Sequence, residues 1–318
     1  MSTDNDRTAG INGVLLVNKE KGYTSHDVVA KLRGILHIKK IGHTGTLDPN
    51  ATGLLPVCIG NATKLCDMLT DRSKTYRTVI KLGESTDTGD IYGNVINNTG
   101  ADIVMGLNTE FITSVIKSFE GDQLQIPPMY SAIKVGGKKL YELARQGVEI
   151  ERKAREIRIE NIDIEDIDLP YIRMTVECSK GTYIRTLCSD IGQKLNVFGT
   201  MASLDRLRVG SFDLRDAYRL FEIEELMKEG RIRDHIIPTD MIFEDLLAVT
   251  VQSINRGYME IYDKLVHNGN PLESALIMYD PQNGQQFRIY DSDGRFCGVY
   301  EYKQEKDSLI PVKMFLGT

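Results

Sequence analysis

No tryptophan occurs in the 318 residues, and no run of about 18 apolar residues is present, so no membrane-spanning helix is expected. The start, MSTDNDRTAGING, is polar and has no apolar signal core, which leads us to expect a cytoplasmic protein. Cysteine is sparse and scattered: Cys58, Cys66, Cys178, Cys188 and Cys297 form no CxxC pair, and their number is odd. That argues against a disulfide framework or a structural zinc site. The five histidines are equally dispersed and no HExxH occurs, so no metal is expected. No lysine followed by Ser or Thr closes the glycine-rich stretch Gly42–Gly60, where Gly53 is followed by Leu54 and Leu55, which excludes a P-loop.

Charge excludes less. The net charge of −6 at first opposes a nucleic-acid partner, but its distribution is uneven. Asp240 to Thr318 carries 12 acids and 7 bases, so residues 1–239 stay nearly neutral. A local basic stripe there can still meet a phosphate backbone. One runs from Lys134 to Arg158, with 8 bases and 4 acids, next to Tyr130 and Tyr141. It reads either as a solvated helix of alternating charge or as a surface for RNA backbone and unstacked bases. Length and the 41% hydrophobic content fit two domains with a sizeable core.

The stretch GHTGTLDPNATGLLPVCIG, residues 42–60, organises the chain. Gly42, Gly45, Gly53 and Pro49 specify its backbone closely, Asp48 is its one acid, and Leu54 to Ile59 is an apolar anchor. By composition Asp48 is either an ordinary turn aspartate or an acid held still for chemistry.

Elsewhere the pattern is of mixed elements. Gly13–Val17 reads as a buried strand, and Ser25 as the N-cap of a helix carrying Val28, Val29, Leu32, Ile35 and Leu36. A helix is predicted over Ala62–Leu69. In a strand from Lys74, Tyr76, Thr78, Ile80 and Leu82 share one face. Thr109–Glu120 predicts a helix with Phe111, Val115, Ile116 and Phe119 as its stripe, while Pro127 and Pro128 forbid regular structure after it. Arg155–Ile164 and Ile172–Cys178 alternate as strands, and Tyr183–Leu195 and residues 219–229 read as helices. Beyond about residue 245, short runs between Gly, Asn, Asp and Pro turns predict a small all-β module.

GHTGTLDPNATGLLPV resembles the active-site loop of the pseudouridine synthases, in particular the bacterial tRNA pseudouridine-55 synthases of the TruB type. Further stretches of that family follow in order. NKEKGYTS is similar to DKPxGxTS, with Asn18 and Glu20 departing from it. STDTGDIYGNVI, QIPPMYSAIKVGGKKLYELARQG, CSKGTYIRTLCSDIG and MASLDRLRVGSF are the others.

The resemblance implies an α/β (α+β) catalytic domain on a mixed, largely antiparallel sheet, over residues 1–245. It implies an RNA-gripping insertion at 121–158 and a small β-barrel-like (PUA-like) module at 246–318. It implies Asp48 as nucleophile, with Arg185 and Tyr76 in the catalytic set. His43, Tyr76, Tyr183 and Leu204 then serve substrate binding, His43 filling the gap left by the extruded base. The His43 imidazole otherwise reads as a cap of the turn.

The implied reaction, isomerisation of uridine-55 in the T-loop of tRNA, breaks the N-glycosidic bond, turns the base and rejoins it through C5. It needs neither redox step nor group donor, so no cofactor is expected. Aspartate, with an ordinary pKa of about 3.9, is ionised at neutral pH and suits a nucleophile. Attack at C6, attack at C1′ and proton abstraction to a glycal all remain open. The expected partner is the tRNA T-stem-loop, with no membrane and no metal, and the expected state is a monomer. Rival readings are a synthase for ribosomal or another RNA, a tRNA-binding folding chaperone, and a non-catalytic RNA-binding module.

Overall fold

The computed structural model describes residues 10–131, 133–251, 259–277 and 280–316; most of the polar N-terminal stretch, and Ala132 of the expected insertion, lie outside these. The first elements are β1 (Gly13–Lys19), α1 (Ser25–Leu36), β2 (Ile41–His43), β3 (Thr52–Ile59), α2 (Cys66–Thr70), β4 (Lys74–Leu82), β5 (Glu84–Thr86), β6 (Val95–Asn98), α3 (Ala101–Met105) and α4 (Thr109–Lys117). Then come β7 (Gly121–Gln125), β8 (Lys134–Val135), β9 (Lys138–Lys139), α5 (Leu140–Arg145), β10 (Arg155–Asp168), β11 (Tyr171–Cys178), α6 (Ile184–Lys194), β12 (Gly199–Val209), β13 (Phe212–Asp213), α7 (Leu220–Lys228) and β14 (Ile237–Pro238). The chain closes with β15 (Leu247–Thr250), α8 (Met259–His267), β16 (Leu272–Glu273), β17 (Gln286–Tyr290), β18 (Phe296–Lys303) and β19 (Ser308–Met314).

One ten-stranded sheet has the order β14-β1-β3-β12-β4-β11-β10-β7, with β2 added to β3 and β13 to β12. Among its described pairings, β3 with β12 alone is parallel. This is the mixed, largely antiparallel sheet expected. β4 alternates as read, with Tyr76, Thr78, Ile80 and Leu82 inward and Arg77 exposed. Helices α4 and α6 cover that face through Val115, Ile116, Leu187 and Ile191.

β3 is an uninterrupted apolar run because both its faces are covered. Leu55, Val57 and Ile59 pack under α1 and α7, while Leu54 and Cys58 pack on Val14, Leu16, Phe243, Val299 and Phe315. A strand buried on both sides has no polar face to alternate. Burying Leu54 and Leu55 completely contributes about 3–6 kcal/mol, so the C-terminal end of the Asp48 loop is firmly anchored.

Local expectations needed four corrections. The N-cap of α1 is Thr24, not Ser25: Thr24 and Asp27 form a reciprocal capping box. In α4 the inward residues are Ile112, Val115 and Ile116, while Phe111 is exposed and the helix stops at Lys117. The segment from Ala62 begins as a 3₁₀ turn, Gly60–Leu65, before α2. The C-terminal module is not all-β, since α8 packs through Val266 on its five-stranded sheet β15-β17-β18-β19-β16. Phe243, Phe296 and Phe315 join that module to β1 and β3, and Lys64 Nζ donates to the Met314 carbonyl at 2.9 Å. Among the described residues no helix is long and apolar enough to cross a membrane.

Candidate active site

The Asp48 loop leaves β2 and enters β3 next to the parallel β3–β12 junction of the sheet. Gly53 sits there with φ +103°, and a Cβ on it would lie 2.3 Å from the Arg206 carbonyl oxygen of β12. No side chain fits that approach. Gly53→Ala therefore loses about 2–4 kcal/mol of stability, from strain and overpacking together, checked by urea unfolding.

Leu47 and Ala51 point into the core, at 3% and 2% exposure, and pin the loop on both sides of Asp48. The backbone is pinned as well. The Leu47 N–H donates to Ser25 Oγ at 2.9 Å, which is what the buried Ser25 does instead of capping α1. The Pro49 carbonyl accepts from the Gly22 N–H at 2.9 Å and from Lys19 Nζ at 3.2 Å. The Ala51 N–H closes a turn onto the Asp48 carbonyl at 3.1 Å.

Asp48 meets Arg185 from the first turn of α6. Nε lies 3.0 Å from Oδ2, and Nη2 donates to Oδ1 at 3.3 Å, two parallel contacts that fix the plane of the carboxylate. Arg185 is itself immobilised. Nη1 donates to the Thr88 carbonyl at 3.0 Å and Nη2 to the Tyr130 carbonyl at 2.7 Å. The guanidinium is buried, but the Asp48 side chain remains 36% exposed, so one acid stays accessible from a rigid base. Burial pushes the Asp48 pKa up, Arg185 opposes the shift, and the nearby Asp90 carboxylate adds to it.

Tyr76 lies on β4, 9% exposed, in the cluster that holds Leu47, Ala51 and Ile184. Tyr183 is the N-cap of α6, its backbone held at both N–H and carbonyl by the Gln125 side chain, at 2.8 and 3.1 Å. Burial raises the pKa of both phenols, and the Asp48 charge reaches each of them. Leu204 is half-buried against the same cluster and stands opposite Thr78 in the β4–β12 register. The sheet thus gathers Asp48, Arg185, Tyr76, Tyr183 and Leu204. His43 ends β2 at the loop entrance, edge-on to His26 with 5.5 Å between ring centroids. Burial, the His26 ring and Arg206 push its pKa down to about 4, so its ring is neutral at working pH.

Two basic residues in the quoted motifs acquire parts that the sequence did not assign. Lys19 is fully buried, and its Nζ donates to the Tyr23, Glu20 and Pro49 carbonyls at 2.6, 3.2 and 3.2 Å. Burial brings its pKa down to about 8, with Asp48 opposing. Arg206 of β12 is 1% exposed beside Tyr76. Nothing in a linear pattern separates a buried lysine or arginine from a solvated one. Among the described residues, the side chains of metal-ligand type that converge are His267, Asp291 and Cys297 in the C-terminal module, where Asp291 also caps a turn through the Asp293 and Arg295 N–H groups.

Residues 33–184 match the N-terminal domain model of the TruB family of pseudouridylate synthases, and residues 185–244 match the tRNA pseudouridylate synthase B C-terminal domain. Named curated relatives agree over nearly the whole chain. The tRNA pseudouridine synthase B of Lachnoclostridium phytofermentans is 47% identical, covering 96% of this chain and 100% of the relative. This chain belongs to the TruB family. The Bacillus pumilus enzyme of the same name is also 47% identical, over 96% of this chain and 97% of its own. Among solved structures, a Cbf5-Nop10-Gar1 complex contains a chain 25% identical with a TM-score of 0.70, covering 99% of this chain and 88% of that one. The TruB-family sheet explains why residues 137 positions apart, Asp48 and Arg185, meet: β3, which follows the Asp48 loop, and β4, whose inner face α6 covers, both pair with β12.

Proposed function

We propose that this chain is a tRNA pseudouridine synthase that isomerises uridine-55 of the T-loop without a cofactor, with Asp48 as nucleophile. The observation that carries it is the Asp48 carboxylate, clamped by two contacts to a buried Arg185 yet one-third exposed beside Tyr76. All three routes open to such an acid require it ionised, and the guanidinium favours that form. Arg185 fixes the carboxylate, Tyr76 and Tyr183 bound the uracil with their rings, and Leu204 packs on its edge. The base must first leave the loop stack, at a cost of a few kcal/mol.

His43 then fills the gap in the stack as a neutral ring. Base–aromatic stacking of this kind is worth about 1–3 kcal/mol, so His43→Ala lowers kcat/KM roughly 10- to 100-fold while His43→Phe retains most of it. With its pKa near 4, His43 contributes no limb to the pH profile between pH 6 and 8; a limb there that vanishes in His43→Phe contradicts the assignment.

Residues 121–158 serve as the grip on the T-stem-loop. Their start is tied to the site through Tyr130 and Gln125, and Leu124 and Ile126 stand exposed at 69% and 53%. The side chains of Lys134, Lys139 and Arg145 in the basic stripe lie outside what is described. Residues 1–245 act as the catalytic domain and 246–318 as a PUA-like RNA-binding module, in a monomeric cytoplasmic enzyme.

The test is tritium release from C5-labelled unmodified tRNA, beside labelled ribosomal RNA and a tRNA-folding assay. The proposal predicts release from tRNA alone. Release from ribosomal RNA alone marks the enzyme as a synthase for that RNA, and accelerated folding without release marks a chaperone.

A further inference from the structure

Arg206 is a buried cation without a carboxylate. Its neighbour Asp205 bonds Thr52 instead, and among the described residues no acid bonds the Arg206 guanidinium. Its donors go to two neutral oxygens, Nε to the Leu54 carbonyl at 2.7 Å and Nη2 to the Gly45 carbonyl at 3.3 Å, and its register partner on β4 is Tyr76. A cation so placed costs several kcal/mol of desolvation that neutral partners do not return in full. Two carbonyls could be satisfied by an uncharged amide, so the carbonyls alone do not account for the charge. What the charge adds is a field, and that field falls on the site. It pushes down the pKa of His43 and of Lys19, and it opposes the burial that raises the Tyr76 phenol.

The contacts have a mechanical consequence too. Gly45 and Leu54 bracket the Asp48 loop, and Tyr76 is the ring beside it. One guanidinium therefore holds both ends of the nucleophile loop, from the β12 position paired with Tyr76. Deepening the function proposed above and resting on it, we infer that Arg206 is a positioning residue. It holds the Asp48 loop through the Gly45 and Leu54 carbonyls, in one frame with the strand that carries Tyr76.

The experiment uses the full chain carrying tyrosine labelled with carbon-13 at Cζ. The Tyr76 signal is assigned by its loss in Tyr76→Phe. Arg206→Gln and Arg206→Lys are compared with the parent in NMR titration, in kcat and KM on tRNA, and in thermal unfolding. In Arg206→Gln the Tyr76 signal titrates at higher pH than in the parent, because the opposing charge is gone. In Arg206→Lys, which keeps the charge but loses the fork, kcat falls about tenfold or more with KM within about threefold. Should Arg206→Gln not fold, the split between kcat and KM in Arg206→Lys decides.

Both kcat values within about twofold of the parent overturn the inference. So does a kcat that falls only in step with lost folded protein while the Tyr76 titration stays put. Inactive Asp48→Asn and Tyr76→Phe with fully active Arg206 variants remove this inference alone. Fully active Asp48→Asn removes the proposed function itself.

Discussion

Asp48→Asn turns over about 10⁴-fold more slowly than the parent, with tRNA affinity within about fivefold. The amide keeps the shape of the side chain and can still accept from Arg185, so the loop keeps its place. It has no charge and no nucleophilic oxygen. The exposed part of the Asp48 side chain is the only acid group of the loop, and no neighbour in the stretch from Gly42 to Gly60 can replace it. Stability falls by less than the roughly 3–5 kcal/mol of a broken, fully buried pair, because Arg185 keeps the Thr88 and Tyr130 carbonyls and the Asp48 end is partly solvated. Single-turnover tritium release, filter binding to unmodified tRNA and urea unfolding check the three parts separately.

Arg185→Met lowers kcat/KM at pH 7.5 by about 10²–10³-fold. The sign of its pH dependence follows from the site. Burial already lifts the Asp48 pKa above that of an ordinary aspartate, and Arg185 opposes that lift. Removing the guanidinium lets the pKa rise further, so a smaller fraction is ionised at any given pH. The acid limb of kcat/KM moves to higher pH, and activity recovers partly on the alkaline side. Arg185→Lys keeps a charge without the fork and falls between the two. A pH series from 5 to 9 on all three proteins measures it; a limb that stays put in Arg185→Met means that Arg185 is a peg and not an electrostatic partner.

The parts of the fold that obey one period were legible. β4 alternates every second residue and α1 repeats every third or fourth, so their inner faces could be read from Tyr76, Thr78 and Ile80 and from Val28, Val29 and Leu32. Capping and exposure were read less well. Thr24 followed by Asp27 was a cap signal in plain view, but Ser25, one residue on, offers the same hydroxyl and is used across space on Leu47. Phe111 and Ile112 are adjacent apolar residues, and only the packing of α4 decides which turns inward. In the C-terminal module the turn pairs after Asn268 set the reading of the whole segment, and that reading misses the helix Met259–His267, which contains no Gly, Pro or Asn.

At the site, local physics gave Asp48 as a candidate and the long motif resemblance supplied its companions. The direct contact of Asp48 with Arg185 joins residues 137 positions apart and has no local signature. Arg206 and Lys19 were illegible for a different reason. Each is charged and fully enclosed, and each is held by backbone carbonyls that converge only after folding.

The central claim is tested most directly by mapping pseudouridine at single-nucleotide resolution in an unmodified tRNA transcript after incubation with the full chain. The account predicts one modified nucleotide per tRNA, uridine-55 of the T-loop, and none when Asp48→Asn replaces the parent. Modification at another position, or at uridine-55 with the asparagine variant at the parent's rate, contradicts it.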